Sequence, residues 1–296
     1  MIGLKNFIFQ KIKNYNFQIL KIKETNLDFL NWLKKQSLKE INENEKFISL
    51  LQKIEKNELA NFIFILRSLD FRLWEFKNNW QYKNQKGFYG LLERTKELFL
   101  KNYRNIDFQT FKKIISPKEK IGLAKLRYQI FKEALSFLKS YDNDFNNYFE
   151  ENKKPLNFCL KLCKLRKFKD YYKNFYFLKP NQLLYYELIL AKNLTKKYEN
   201  ELSELTVFAD YKLPQLFLNF NLIVPSKIYF QKIKKRKIIK SKSLFEIELR
   251  MATIILGEEI SQKIKIPSYK LDTILWSIAN KIKMKIPEPL VKTIYY

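Results

Sequence analysis

Hydrophobic positions recur three and four residues apart along most of the chain, the period of helices with one buried face. Residues 27–74 carry this pattern over several helices, and residues 87–103 read as a helix opened by Gly87. Residues 107–116, ahead of Pro117, and residues 118–152 add two or three more. Residues 154–168, 181–202, 212–223, 243–264 and 269–283 complete the set. Alternation of the strand type is scarce. Residues 170–179 alternate aromatics around Lys173-Asn174 and predict a short hairpin. A strand-like apolar run from Leu205 stops at Asp210, at the start of a helix. With only 5 Gly and 8 Pro, turns for an all-β fold are too few. There is no fixed-period repeat and no long linker. The expectation is a mainly α protein, a single helical domain over 1–296, with at most a short β-hairpin near 170–179.

Composition changes the picture in two places. The formal net charge of +27 suggests nucleic acid or an anionic membrane as a partner. Yet only 8 of the 57 basic residues are Arg, and Lys, Asn, Ile, Phe and Tyr, all with A/T-rich codons, are abundant. Drift of base composition therefore accounts for much of the lysine, and the basic run 232–242 reads as a solvated connection. The field still favours capture of an anionic substrate such as a phosphate ester. The second point is that His is absent. That removes Ser-His-Asp and Cys-His triads, His-ligated metals and imidazole acid–base catalysis, and leaves carboxylates, Lys, Tyr or water.

The only cysteines, Cys159 and Cys163, share a helix face four residues apart, poor geometry for a disulfide and too few ligands for zinc. They read as reduced thiols in a cytoplasmic compartment. No run reaches the length of a membrane span. The N-terminus has lysines inside its apolar part, unlike a signal peptide, although a basic amphipathic start is compatible with organelle targeting.

Glycine-rich phosphate loops, metal-binding His pairs and nucleophile elbows are missing. What remains is a set of acids in apolar, aromatic surroundings: Asp70, Asp210, Asp272, and Glu246 with Glu248. Asp70 and Asp272 sit in look-alike motifs, LDFRLW and LDTILW. Each acid reads equally as a helix cap or as a carboxylate kept in a low-dielectric pocket for chemistry.

Several elements together resemble the queuosine salvage family of queuosine 5'-phosphate N-glycosylases. An FADYRxPQ element is matched by Phe208-Ala209-Asp210-Tyr211-Lys212-Leu213-Pro214-Gln215, with Lys in the Arg position. An EVEIR helix is matched by Glu246 to Arg250, an LDxxLW element by Leu271 to Trp276, and a final IYY by Ile294-Tyr295-Tyr296. Looser matches are Leu69 to Trp74 with Asp70 for Asn, Gly87-Phe88-Tyr89, Phe168-Lys169-Asp170, and Lys179 to Gln182 followed by Glu187 in an Asp position. The resemblance runs over roughly 50–296, is strongest over 165–296, and leaves residues 1–50 unmatched.

The resemblance implies a fold similar to helix-hairpin-helix DNA glycosylases and hydrolysis of the N-glycosidic bond of queuosine 5'-monophosphate. Queuine and ribose 5-phosphate are the implied products. It implies Asp210 as the catalytic carboxylate beside C1'. Asp272, then Glu187, are expected to accept from the 2-amino and N1–H edge of the base. Phe208, Tyr211 and Trp74 or Trp276 are expected to stack on it, with Asp70 nearby. Lys179, with Lys212 or Arg250 behind it, is expected at phosphate or ribose; Arg250 reads equally as pairing with Glu246. No cofactor, metal, membrane or obligate nucleic-acid partner is expected. The alternatives are a non-catalytic basic nucleic-acid-binding protein and a glycosylase acting on another base.

Overall fold

A computed structural model describes residues 2–37, 42–73, 81–117 and 122–296. The helical period is realised as α1 (Leu4–Ile12), α2 (Leu27–Ser37), α3 (Asn42–Leu51), α4 (Leu59–Leu69), α5 (Gly87–Leu100), α6 (Phe108–Ile115), α7 (Ala124–Lys139), α8 (Phe145–Glu151), α9 (Pro155–Leu162), α10 (Lys179–Ala191), α11 (Glu199–Ser203), α12 (Lys212–Asn219), α13 (Lys227–Lys234), α14 (Leu244–Ile264) and α15 (Ser268–Lys281). The strands are β1 (Leu20–Ile22), β2 (Gln81–Tyr82), β3 (Gln85–Lys86), β4 (Tyr171–Tyr172), β5 (Phe175–Tyr176) and β6 (Ile223–Pro225). The protein is mainly helical, as the periodicity predicts. Local signals set the boundaries. Asp107 and Asp144 accept the amides of Thr110 and Asn146 at the starts of α6 and α8, and Pro155 opens α9.

The hairpin predicted near 170–179 is present: β4 and β5 pair antiparallel around a left-handed Lys173. Two further strand pairs lie outside that expectation. Lys83 and Asn84, both left-handed, turn β2 into β3, the backbone that a two-residue hairpin demands. β1 pairs antiparallel with β6, Leu20 opposite Pro225. Among the described residues the strand-like run at 205–209 pairs with no strand.

The chain divides into two compact units, residues 1–50 with 170–293, and residues 51–169 with 294–296. In the second, α4 is buried along nearly its whole length and packs against α5, α7 and α8. Phe64 stacks on Phe145 at 4.2 Å and on Phe168 at 5.7 Å. Arg127 donates to the carbonyl of Leu69, the last residue of α4, and to that of Phe71 just beyond it. In the first unit, α14 forms the spine, with α12 and α15 packed against it. Gly257 lies against Val207 so closely that a Cβ would meet its methyl groups at 2.4 Å, which lets the 205–210 segment lie on α14. No helix among the described residues is long and apolar enough to cross a membrane.

Candidate active site

The site grows from segment 205–210 of the first unit, which belongs to no helix or strand. Without a neighbouring strand, its backbone needs other partners. Side chains from three helices supply them. Gln182 of α10 accepts the Thr206 amide at 2.9 Å, and Asp272 of α15 accepts the Phe208 amide at 2.7 Å. Arg250 of α14 donates from Nε to the Ala209 carbonyl at 3.1 Å. Asp210 then starts α12: its Oδ1 accepts the amides of Lys212 at 2.7 Å and Leu213 at 3.3 Å. Asp210 is thus a helix cap and a buried acid at once. Its Oδ2 makes no hydrogen bond among the described residues.

Burial raises the Asp210 carboxyl above its ordinary value, against the opposing pull of the Lys179 charge, the two amides and the Lys212 charge. Asp272 is pushed well above its ordinary value, first by burial and then by the negative charge of Asp210; the Phe208 amide and Lys179 oppose the rise. Two neighbouring carboxylates in a low-dielectric setting resist double ionisation. Asp210 has the more donors around it, so it ionises first, and Asp272 holds the proton.

Lys179 opens α10 and is only 8% exposed. Its Nζ makes no hydrogen bond or ion pair among the described residues, and its charge is felt by both aspartates. Phe208 faces Tyr186 at 6.2 Å, and Tyr186 faces Tyr269 at 5.4 Å. The Tyr186 hydroxyl, pushed up to about 12 chiefly by burial, accepts from Asn44 at 2.8 Å. Trp276 is half-buried one turn after Asp272 on the same face of α15. Tyr211 is half-buried between Asp210 and α12, and Glu187 is buried on α10.

Arg250 does not present a free guanidinium. Both terminal nitrogens bind Asp170 at 2.7 Å, Nη1 lies 3.6 Å from Glu246, and the guanidinium covers Phe177 at 4.1 Å. Asp70 belongs to the second unit, just past the end of α4, where it pairs with Arg67. The look-alike motifs therefore differ: Asp272 lies within a helix and Asp70 beyond one. Trp74 lies outside the described residues. Glu248 is an anchor: its oxygens accept the amides of Gln18, Ile19 and Leu20 and the Tyr15 hydroxyl. Asp170, Gln182 and Asn44 were not singled out by the sequence reading as site residues. Among the described residues no three Cys, Asp or Glu side chains gather as a metal-ligand set.

This is a mainly helical protein with a buried aspartate pair beside a buried amine and an aromatic cluster. Residues 50–296 match the family model described as queuosine salvage protein. The chain belongs to that family. Over 103 residues it is 29% identical to a Sphaerobacter thermophilus protein named queuosine 5'-phosphate N-glycosylase/hydrolase, covering 33% of this chain and 32% of that protein. Over 112 residues it is 27% identical to a Schizosaccharomyces pombe protein of the same name, with the same 33% and 32% coverage. The matched stretch thus spans about a third of the length of these curated relatives.

Proposed function

We propose that the protein hydrolyses the N-glycosidic bond of queuosine 5'-monophosphate, releasing queuine and ribose 5-phosphate. Membership of the family and the names of its relatives support the substrate. The single observation that carries the chemistry is the buried Asp210 carboxylate, with one oxygen fixed by two amides and the other without a hydrogen-bond partner among the described residues.

Breaking the ribosyl C–N bond builds positive charge on C1' and O4'. A preorganised carboxylate stabilises that charge and accepts a proton from the attacking water. Asp210 takes this role through Oδ2. The leaving base is a 7-deazapurine, with no basic N7 to protonate, so charge must be relieved at its edge. Asp272, kept neutral by burial and by Asp210, has a proton to donate to an acceptor on that edge, while Oδ1 stays bound to the Phe208 amide. Glu187 is the second candidate at the base edge. Phe208, Tyr211 and Trp276 offer π-faces to the base. Lys179 serves a ribose hydroxyl or the 5'-phosphate, and its proximity to both aspartates favours the ribose end.

The test is queuine release by the wild-type protein and by Asp210→Asn. The amide keeps an oxygen for the Lys212 and Leu213 amides but has no negative charge. Release should fall about a thousandfold or more; wild-type activity in a folded Asp210→Asn protein would overturn the assignment.

A further inference from the structure

Asp170 is 1% exposed, and both of its carboxylate oxygens are engaged. Oδ1 accepts Arg250 Nη1 at 2.7 Å; Oδ2 accepts Arg250 Nη2 at 2.7 Å and the Lys179 amide at 2.9 Å. Its main-chain carbonyl accepts the amides of Phe177 at 3.1 Å and Leu178 at 3.0 Å. These bonds close the β4–β5 hairpin and lead into Leu178, which is left-handed at φ 53°. A non-glycine residue keeps that conformation only where its surroundings impose it. The next residue is Lys179, the first of α10. On the other side, Arg250 reaches from the same salt bridge to the carbonyl of Ala209, one residue before Asp210.

We infer that Asp170 is a positioning residue of this site: through Lys179 N and Arg250 it fixes where the Lys179 ammonium stands relative to the Asp210 carboxylate. The inference rests on Asp210 being the acid of the proposed reaction. Asp170 does not touch substrate. Its carboxylate grips both arms of the site, the start of α10 and the backbone leading into Asp210. In a buried setting a small displacement of an ammonium from a carboxylate changes their interaction strongly.

The consequence is electrostatic. The charged and titratable groups around Asp210 are Lys179 from α10, Lys212 from α12, Asp272 from α15, and Arg250 from α14 at the adjacent carbonyl. Lys179 and Lys212 favour the ionised form, and Asp272, once charged, opposes it. If the grip on Lys179 loosens, Asp210 loses a stabilising charge and protonates at higher pH. The acid limb of the pH–rate profile then moves to higher pH.

The experiment uses full-length Asp170→Asn with two readouts: the 13C carboxyl titration of Asp210 in the unliganded protein, and the pH profile of queuine release. We expect the Asp210 midpoint to rise by about half a unit or more and kcat to fall about threefold or more on the acid side, with a smaller change in KM. Lys179→Met alone should raise the midpoint, and adding Asp170→Asn to it should raise it no further. Asp170→Asn also removes a buried negative charge, which by itself lowers the midpoint, so Arg250→Lys, which keeps both charges and loses the two-pronged grip, must show the same rise. An unchanged midpoint in Arg250→Lys, or full additivity in the double variant, would overturn the inference. If the wild type releases no queuine while the NMR midpoint still moves, the positioning role stands and the substrate reading falls.

Discussion

At the residue scale, Lys179 and Asp272 offer tests of the proposed site. Lys179 is a buried amine without an ion-pair partner among the described residues, close to two carboxylates. Lys179→Ala should slow cleavage of both queuosine and its 5'-phosphate, because Asp210 loses a charge that keeps it ionised. If Lys179 also reaches the phosphate, the loss is greater for the phosphate ester, and kcat/KM on the two substrates measures the difference. Asp272 offers a test through stability. Its carboxyl titrates well above the ordinary value in the fold. Below the ordinary carboxylate range it is neutral in both folded and unfolded chains. As pH rises, the unfolded chain loses this proton while the fold retains it, so the native state loses stability until the folded pKa is passed. Asp272→Asn removes that loss and keeps an acceptor for the Phe208 amide. Its Tm should exceed that of the wild type at pH 7–8, converge with it near pH 4, and be accompanied by reduced queuine release. A lower Tm at pH 8 would contradict the electrostatic reading.

Asp210 was legible in the sequence as an acid between Phe208 and Tyr211 at a helix start, and the structure gives it the capping bonds that such a position implies. Asp170 was not legible as a site residue. Its partners Lys179 and Arg250 lie 9 and 80 residues away, and no local period links them. Arg250 read equally as a phosphate or ribose contact and as a partner of Glu246; the structure has the Glu246 pair and adds Asp170, which no local period in the sequence shows.

At the element scale, the EIELR stretch of α14 works as a set of clamps. Glu246 accepts the Lys242 amide at 2.9 Å ahead of the helix, Glu248 holds residues 18–20, and Arg250 holds Asp170 and Ala209. Glu248→Ala would leave three backbone amides without their acceptor. Such groups cost roughly 1–3 kcal/mol each when buried and unsatisfied, less where water reaches them. We expect a total loss of about 2–4 kcal/mol in urea unfolding, with faster amide exchange concentrated at Gln18, Ile19 and Leu20. Loss of stability without local exchange there would place the effect elsewhere. The β4–β5 hairpin was readable because its signal is local: alternating aromatics around a two-residue turn. The β1–β6 pair was not, since each strand is three residues long and its partner lies about two hundred positions away. The 205–210 run looked like a strand but belongs to none: Ala209 N bonds back to the Val207 carbonyl, and side chains of Gln182, Asp272 and Arg250 hold the rest. That substitution of side chains for a neighbouring strand brings the acids to one place.

At the scale of the molecule, the first forty-nine residues lie outside the family match, yet they supply buried positions Leu4, Ile8, Ile12 and Leu20 to the first unit. Asn44 also binds the Tyr186 hydroxyl in the aromatic cluster beside Phe208. The excess positive charge has a measurable consequence. A net +27 attracts a nucleotide dianion, and salt screens that attraction. KM for queuosine 5'-monophosphate should rise several-fold between 50 and 300 mM salt, while KM for unphosphorylated queuosine stays nearly constant. Equal salt dependence would remove the field from the account. Mass spectrometry reads the broken bond itself. Incubation of the purified protein with queuosine 5'-monophosphate should yield free queuine and ribose 5-phosphate in equal amounts, at a rate that Asp210→Asn abolishes. Recovery of intact nucleotide, or release of queuine at the same rate by the Asp210→Asn protein, would contradict it.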